Sequence, residues 1–238
     1  MHVIEVDQPG SLLDAVYTDV LTPAFPADEL VTLDSLRAGV GQAGISILAV
    51  VDDDGTPTAG AIGEWSPDTG VALLAYLAVS QDARSRGLGG MLLSQAMQSW
   101  QQRWHPCALL AEFEHPAAHP ASQAYGDPVA RLRFYRRHGA RGLDLPYFQP
   151  ALRTETSRVY GVILSVLALS DKCRGTAPDT AASDPIRRFL IEYLEQTEGK
   201  VGEDGACASL FHALERPTGI PLLTFDDPSM LPCSEPYG

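Results

Sequence analysis

The sequence predicts an α/β (α+β) fold in which a mixed, largely antiparallel central sheet is flanked by helices and followed by a C-terminal helical extension. Three observations predict this class. Apolar runs of strand length, separated by Asp-Gly and Pro-Asp turns, occupy residues 45–79. Strand and helix patterns then alternate up to residue 169. After a linker-like run at 175–182, only helix signals and a proline-rich tail follow.

The N-terminal part predicts one strand at 3–6 and two helices at 11–20 and 27–38. A proline-containing break at 21–26 separates the two helices, because proline interrupts helical hydrogen bonding. The two helices therefore cannot form one rod.

The remaining elements follow from hydrophobic periodicity and from turn and cap residues. In chain order they are strands 45–51, 58–64 and 71–79, helix 88–103, strand 107–113, helix 129–138, strands 142–149 and 158–167, and helices 183–196 and 204–216. We expect residues 1–169 to form the main domain, with residues 170–238 as a linker and helical extension that packs on it.

Composition is that of a globular protein, since 45% of the 238 residues are hydrophobic and 20% are charged. The N-terminus shows no signal-peptide pattern, and the most apolar run, 159–169, is too short to cross a bilayer. We therefore expect a cytoplasmic protein without a membrane partner. The four cysteines are far apart, which predicts reduced thiols, with Cys107 in the core.

The net charge of −13 is unevenly distributed along the chain. Residues 84–158 carry a net charge of +5, whereas residues 1–83 carry −12 and residues 159–238 carry −6. A basic middle suits a polyanionic ligand, and acidic flanks suit a cationic one. An acidic surface that serves solubility alone remains the alternative, and nucleic acid is not expected as a partner.

Segment 84–89 (RSRGLG) lies between the predicted strand 71–79 and the predicted helix 88–103. Glycines in such a corner let the backbone approach an anion, while the helix start offers unpaired N–H groups and the positive end of its dipole. The pattern predicts a pyrophosphate-binding cradle. Taken alone, it is also compatible with an ordinary strand-to-helix corner.

Segment 131–140 (RLRFYRRHGA) is a second motif, an amphipathic helix that ends at a glycine. Together the two segments resemble the acetyl-CoA site of the GNAT superfamily of N-acetyltransferases. Arg84, Gly87 and Gly89 match the first GNAT pattern, while Tyr135 and Gly139 match the second. The resemblance covers residues 40–168 best. It departs where GNAT members often carry an Asn, since this helix starts at residues 127–128 (DP).

The resemblance implies a set of contacts for acetyl-CoA, which is expected as co-substrate without any metal. The expected cofactor-binding residues are Leu77, Ala78, Val79, Arg84, Ser85, Arg86, Gly87, Leu88, Gly89 and Gly90. It also implies Tyr135 as the general acid near the thioester sulfur. The helix-loop-helix at 11–38 would cover the acceptor site, with Phe25, Asp28 and Glu29 as possible contacts for an amine.

Glu112 and Glu114 are the candidate bases, with Glu114 preferred. They stand two residues apart in an otherwise apolar strand and so face the same side. Carboxylates in such a strand are costly unless they have a function or a partner, so an ion pair with a nearby arginine is the alternative. Glu64 is a second candidate base, and Tyr76 could line the pocket.

The long connection 115–126 (HPAAHPASQAYG) predicts a lid or rim beside the acceptor pocket. His115 and His119 are four residues apart, but prolines forbid the helix that would bring both onto one metal.

These features predict an acetyltransferase that moves an acetyl group directly from acetyl-CoA to a primary amine of a small molecule or peptide. The acceptor is expected to be cationic, and a homodimer is possible. The alternative is a non-catalytic acyl-CoA-binding regulatory or interaction module.

Overall fold

Four strands and three α-helices form the first of two units in the computed structural model, which describes residues 1–236. This unit comprises Met1–Pro67 and Ala72–His105. Its elements are β1 (His2–Glu5), α1 (Ser11–Ala15, continued by a π-helical turn Val16–Leu21), α2 (Leu33–Gly39), β2 (Ile45–Val51), β3 (Pro57–Ser66), β4 (Val71–Val79) and α3 (Leu88–Trp104).

The strands of this unit lie in the order β1-β2-β3-β4, and β2 pairs antiparallel with both β1 and β3. Helices cover both faces, as two residues on opposite faces of β3 show. A Cβ atom built on Gly60 would lie 3.1 Å from Val16, whereas one built on Gly63 would lie 2.5 Å from the buried ring of Trp100 in α3. Because both faces of the sheet are buried, the sequences of its inner strands are nearly continuous apolar runs.

The predicted helix 27–38 is wrong in its first half. Ala27–Glu29 form a single 3₁₀ turn, Leu30 is extended, and α2 begins only at Leu33. Two contacts explain the interruption. The Val31 N–H donates to the hydroxyl of Tyr76 on β4 at 3.0 Å, and Thr32 caps α2 by accepting from the Ser35 N–H at 3.1 Å.

The second unit comprises Asp68–Val71 and the described residues from Pro106 onward. Its elements are β5 (Ala108–Glu114), α4 (Pro128–Arg137), β6 (Arg141–Leu143), β7 (Val162–Leu169), β8 (Thr180–Ala181), α5 (Ser183–Glu198), α6 (Gly205–Ala213) and β9 (Ile220–Leu223). Its strands lie in the order β5-β7-β6-β9-β8, and each neighbouring pair is antiparallel.

The C-terminal extension adds strands as well as helices. β9 pairs with β6, with Gly142 opposite Leu223, and β8 pairs with β9. The sequence predicts neither strand. Helices α5 and α6 do occur where the sequence predicts them. Among residues 1–236, no helix has both the length and the apolar character needed to span a membrane.

A disulfide joins Cys107, just before β5, to Cys173, just after β7. The expectation that all four thiols are reduced is therefore wrong for this pair. The backbone around the bond is also held, because the Ser170 N–H donates to Cys107 O at 2.8 Å and the Ala182 N–H donates to Cys173 O at 2.7 Å. The disulfide thus ties β5 to the first residues of the extension.

Candidate active site

The corner between β4 and α3 has the backbone geometry of an anion cradle. β4 ends at Val79, a 3₁₀ turn follows at Gln81–Ala83, and α3 begins at Leu88. Ser85 and Gly87 have left-handed φ angles of 64° and 78°. A chain that turns through left-handed residues directs successive N–H groups towards one point, the arrangement that binds anions in many proteins.

The start of α3 leaves backbone donors available. The first helical hydrogen bond runs from the Met91 N–H to Gly87 O at 3.1 Å, so the amides of Leu88, Gly89 and Gly90 precede the helical ladder. Gly87, at the N-cap, provides no side-chain acceptor for them. A Cβ atom built on Gly87 would meet nothing within 4 Å, so the space in front of this corner is open.

Two arginines add positive charge to the cradle. Arg84 is held by a hydrogen bond from its Nε to Val79 O at 3.3 Å, and Arg86 is exposed. In the part of the chain that the structure describes, neither guanidinium pairs with a carboxylate. Charge, helix dipole and free amides thus all favour an anion at this point.

The ten predicted cofactor residues occupy two stretches, 77–79 and 84–90, both in the first unit. Ala78 is buried, while Leu77 and Val79 are half-buried at the end of β4. The structure thus places the predicted pantetheine-binding strand end directly before the cradle. Contact with acetyl-CoA itself stays a prediction.

Tyr135 lies in α4 of the second unit and is buried. Asp127 starts this helix by accepting from the Val129 N–H at 2.9 Å, with Pro128 at the first helical position. The Tyr135 ring stacks on Phe113 of β5, with centroids 4.0 Å apart. Among residues 1–236 its hydroxyl has no hydrogen-bond partner.

Burial raises the pKa of Tyr135 well above its usual value, while the positive charge of Arg131 acts in the opposite direction. The phenol therefore stays protonated throughout the neutral range. It can act as a donor to a group placed against it.

Glu112 is engaged by two donors. It accepts hydrogen bonds from the Tyr147 hydroxyl and, at 3.1 Å, from Gln149 Nε2. Burial, and next the negative charge of Glu112, raise the pKa of Tyr147, so this phenol also remains a donor. Both carboxylate oxygens of Glu112 are thus occupied.

Glu114 forms a salt bridge through Oε2 with Arg131 Nη1, and only 14% of its side chain is exposed. Its other oxygen, Oε1, lies 3.8 Å from Nδ1 of His119. The ion pair that the sequence offered as an alternative to a catalytic role is therefore present. A role of Glu114 or Glu112 as base stays a prediction.

Glu64, the second candidate base, lies on β3 of the first unit. Burial raises the pKa of its carboxyl group, and none of the described residues pairs with it. Tyr76 instead anchors the segment before α2, because its hydroxyl donates to Glu29 O at 3.2 Å and accepts from the Val31 N–H.

The sequence did not single out Arg131, Tyr147 or Gln149 as partners of the two candidate bases. Tyr147 and Gln149 lie 35 and 37 residues from Glu112, and no local pattern signals such contacts. The only sequence signal for the ion pair between Glu114 and Arg131 was the cluster of arginines in α4. Within residues 1–236, no group of three or more His, Cys, Asp or Glu side chains could hold a metal ion.

Comparison with known proteins identifies a family model that matches part of this chain. Residues 44–139 match the family model described as acetyltransferase (GNAT) domain, which includes the cradle and Tyr135. A search of curated proteins gives no significant match.

Several solved structures of GNAT family acetyltransferases are similar to this chain. A protein assigned to the GNAT acetyltransferase family of Bacteroides thetaiotaomicron is 16% identical, with a TM-score of 0.55, and the match covers 82% of this chain and 97% of that one. A GNAT family acetyltransferase of Staphylococcus aureus is 10% identical, with a TM-score of 0.50 and coverage of 70% and 100%. A GNAT family acetyltransferase of Elizabethkingia anophelis, solved with acetyl-CoA bound, is 11% identical, with a TM-score of 0.46 and coverage of 69% and 95%. The predicted fold class is confirmed.

Proposed function

We propose that this chain, of which residues 44–139 match the GNAT acetyltransferase domain model, transfers an acetyl group from acetyl-CoA to a primary amine of a small molecule or peptide. The observation that carries this proposal is the corner at residues 84–90. There an uncapped helix start, two left-handed residues and two arginines that pair with no carboxylate of the described residues lie in one short stretch. A diphosphate carries the charge and the acceptor oxygens that these groups would bind.

In the proposed reaction the amine attacks the thioester carbonyl directly, and the acetyl group passes to nitrogen without an acyl-enzyme. Backbone N–H groups near Leu77–Val79 would hold the pantetheine arm and polarise the carbonyl oxygen. The Tyr135 hydroxyl, which stays protonated because burial raises its pKa, would donate to the departing sulfur as negative charge develops there. Glu114, with Glu112 as the alternative, would assist removal of the proton from the amine.

The acceptor is proposed to be cationic. Residues 1–83 carry a net charge of −12, and acidic surfaces concentrate cations by long-range attraction. Aminoglycosides, polyamines, amino acids and proteins all carry amino groups that are cationic at neutral pH.

An acceptor screen tests the proposal. Purified full-length protein is mixed with acetyl-CoA and each class of amine, and free thiol release is followed over time with longer acyl-CoA donors alongside. Amine-dependent thiol release supports the enzyme. Binding of acetyl-CoA without release for any amine would contradict it.

One observation favours the second candidate, a non-catalytic acyl-CoA-binding module. The carboxylates of Glu112 and Glu114 are both engaged, by Tyr147 and Gln149 in one case and by Arg131 in the other. The same screen separates the two functions, because a binding module would bind acetyl-CoA and release no thiol.

A further inference from the structure

The connection between β5 and α4 begins with a hydrogen-bonded turn that contains His115 and His119. The His115 N–H donates to Gly161 O at 2.7 Å, and the N–H groups of Ala118 and His119 donate to His115 O at 3.0 and 2.9 Å. The first five residues of the connection are therefore fixed against the segment that leads into β7.

Gly161 makes this arrangement possible. Its φ of +67° lies in the left-handed region, and a Cβ atom built on it would lie 2.2 Å from the Cβ of Ala118 and 3.4 Å from Nε2 of His119. Only a residue without a side chain lets the histidine turn pack at this distance.

The contacts of His119 fix its tautomer. Nε2 lies 2.8 Å from Tyr160 O, and because a carbonyl oxygen can only accept, Nε2 must carry a hydrogen. In a neutral imidazole the other nitrogen, Nδ1, then carries a lone pair. This nitrogen is the one that lies 3.8 Å from Glu114 Oε1.

We propose, building on the proposed acetyltransferase function, that His119 is the proton acceptor for the incoming amine and that Glu114 stabilises the imidazolium that results. An N–H bond of the ammonium breaks and its proton moves to Nδ1. The electron pair of that bond stays on the amine nitrogen, which attacks the thioester carbonyl. The His119 side chain is 24% exposed, so it can pass the proton on to water.

The charges around the ring suit this role. Glu114 of β5 offers one carboxylate oxygen to a protonated imidazole, while Tyr160 O accepts from the other ring nitrogen. Arg131 of α4 is held by Glu114 Oε2 and by Tyr125 O at 2.8 Å. Burial lowers the pKa of His115, so that neighbouring ring stays neutral near pH 7.

His115 cannot replace His119 as the acceptor. Its Nδ1 already accepts from the Ala117 N–H at 3.0 Å, and its side chain is buried. Glu114 alone is a poorer choice because Arg131 engages one of its two oxygens. His119 combines a free lone pair with access to solvent.

Kinetics of the full-length protein test this assignment, with the best amine from the acceptor screen as substrate. The variants are His119→Gln and Glu114→Gln. The matched control is His212→Gln on α6, whose side chain is 88% exposed. We expect kcat/KM of His119→Gln to fall by about 100-fold at neutral pH, the lower end of the usual range for general base catalysis, with unchanged acetyl-CoA affinity and Tm. The loss should shrink as pH rises, and also with a weakly basic amine that is already neutral.

The result shows whether the role of His119 fails alone or whether the acetyltransferase function fails with it. An active wild type with an equally active His119→Gln variant overturns the role of His119 and leaves the acetyltransferase standing, whereas a wild type inactive with every amine overturns both. Nitrogen NMR of the imidazole decides the geometry without activity: a proton on Nε2 of neutral His119 is expected, and a proton on Nδ1 overturns the assignment. If His119→Gln does not fold, Glu114→Gln must show the same pH-dependent loss, and full activity of that variant rejects the pair.

Discussion

Replacing Tyr135 by Phe should lower turnover and leave stability almost unchanged. The Tyr135 hydroxyl makes no hydrogen bond within the described residues and its oxygen is not fully enclosed, so its removal neither breaks a hydrogen bond nor relieves a buried unsatisfied group. Phe keeps the ring that stacks on Phe113, with centroids 4.0 Å apart, and removes only that oxygen. We expect the free energy of unfolding to change by less than about 0.5 kcal/mol, which corresponds to less than about 2 °C in Tm for a chain of this size.

The same substitution should lower kcat by about 10²-fold or more, because proton donation to a leaving group typically contributes 10²–10⁴. That loss corresponds to at least about 2.7 kcal/mol of transition-state stabilisation. Thermal unfolding followed by circular dichroism gives the first quantity, and initial rates of thiol release give the second.

Tyr147→Phe is the matched control, since its hydroxyl does have a partner. Removing it leaves Glu112 with one donor fewer in a buried setting, so this variant should lose about 1–3 kcal/mol. If Tyr135→Phe were destabilised like the control and retained full turnover, Tyr135 would be a packing residue and the reasoning would be refuted.

Three further predictions concern stability. Burial raises the pKa of Glu64 above its ordinary value of 4.5, so the folded state binds the proton more tightly and the free energy of unfolding falls as pH rises above that value. Glu64→Gln should therefore raise Tm at about pH 8 and change Tm little at about pH 4. Equal changes in Tm at both pH values would contradict the raised pKa. Thiol titration in denaturant should find two free cysteines rather than four, and reduction of the Cys107–Cys173 bond should cost about 2–4 kcal/mol; four reactive thiols before reduction would exclude the bond. Arg158→Met should cost about 3–5 kcal/mol in urea unfolding, because it leaves the half-buried carboxylate of Glu198 without its partner at 2.6 Å, and a loss under about 1 kcal/mol would show that the pair is not structural.

Local pattern was sufficient for most of the fold. The strands β2 to β5 and the helices α3 to α5 occur within a few residues of their predicted positions, because each has a clear period and a turn or cap residue at its ends. The predicted strand 142–149 is much longer than β6, which ends at Leu143. Pro146 and Pro150 lack the N–H that a longer ladder needs.

Features that depend on distant contacts were not predictable. β9 pairs with β6 across about eighty residues of chain, and the disulfide spans 66 residues. Neither leaves a local signal. The helix predicted from residue 27 is interrupted because Val31 bonds to Tyr76, 45 residues away, which no window of neighbouring residues can show.

In the candidate site, too, features formed by consecutive residues were predictable and features formed by distant contacts were not. The cradle is a property of consecutive residues, so its glycines and arginines could be read from the sequence. The surroundings of the candidate bases could not, because Glu112 and Glu114 are engaged by residues on other elements. The role proposed for His119 depends on Tyr160, 41 residues away.

Calorimetric titration with acetyl-CoA tests most directly whether the corner at residues 84–90 binds the cofactor. Gly87→Glu places a carboxylate in the open space before α3, and Gly55→Glu is its matched control, since both glycines have left-handed φ angles and open surroundings. We predict that the wild type and Gly55→Glu bind acetyl-CoA equally and that Gly87→Glu shows no detectable binding. Unchanged affinity in a folded Gly87→Glu variant would contradict the cradle and, with it, the proposed function.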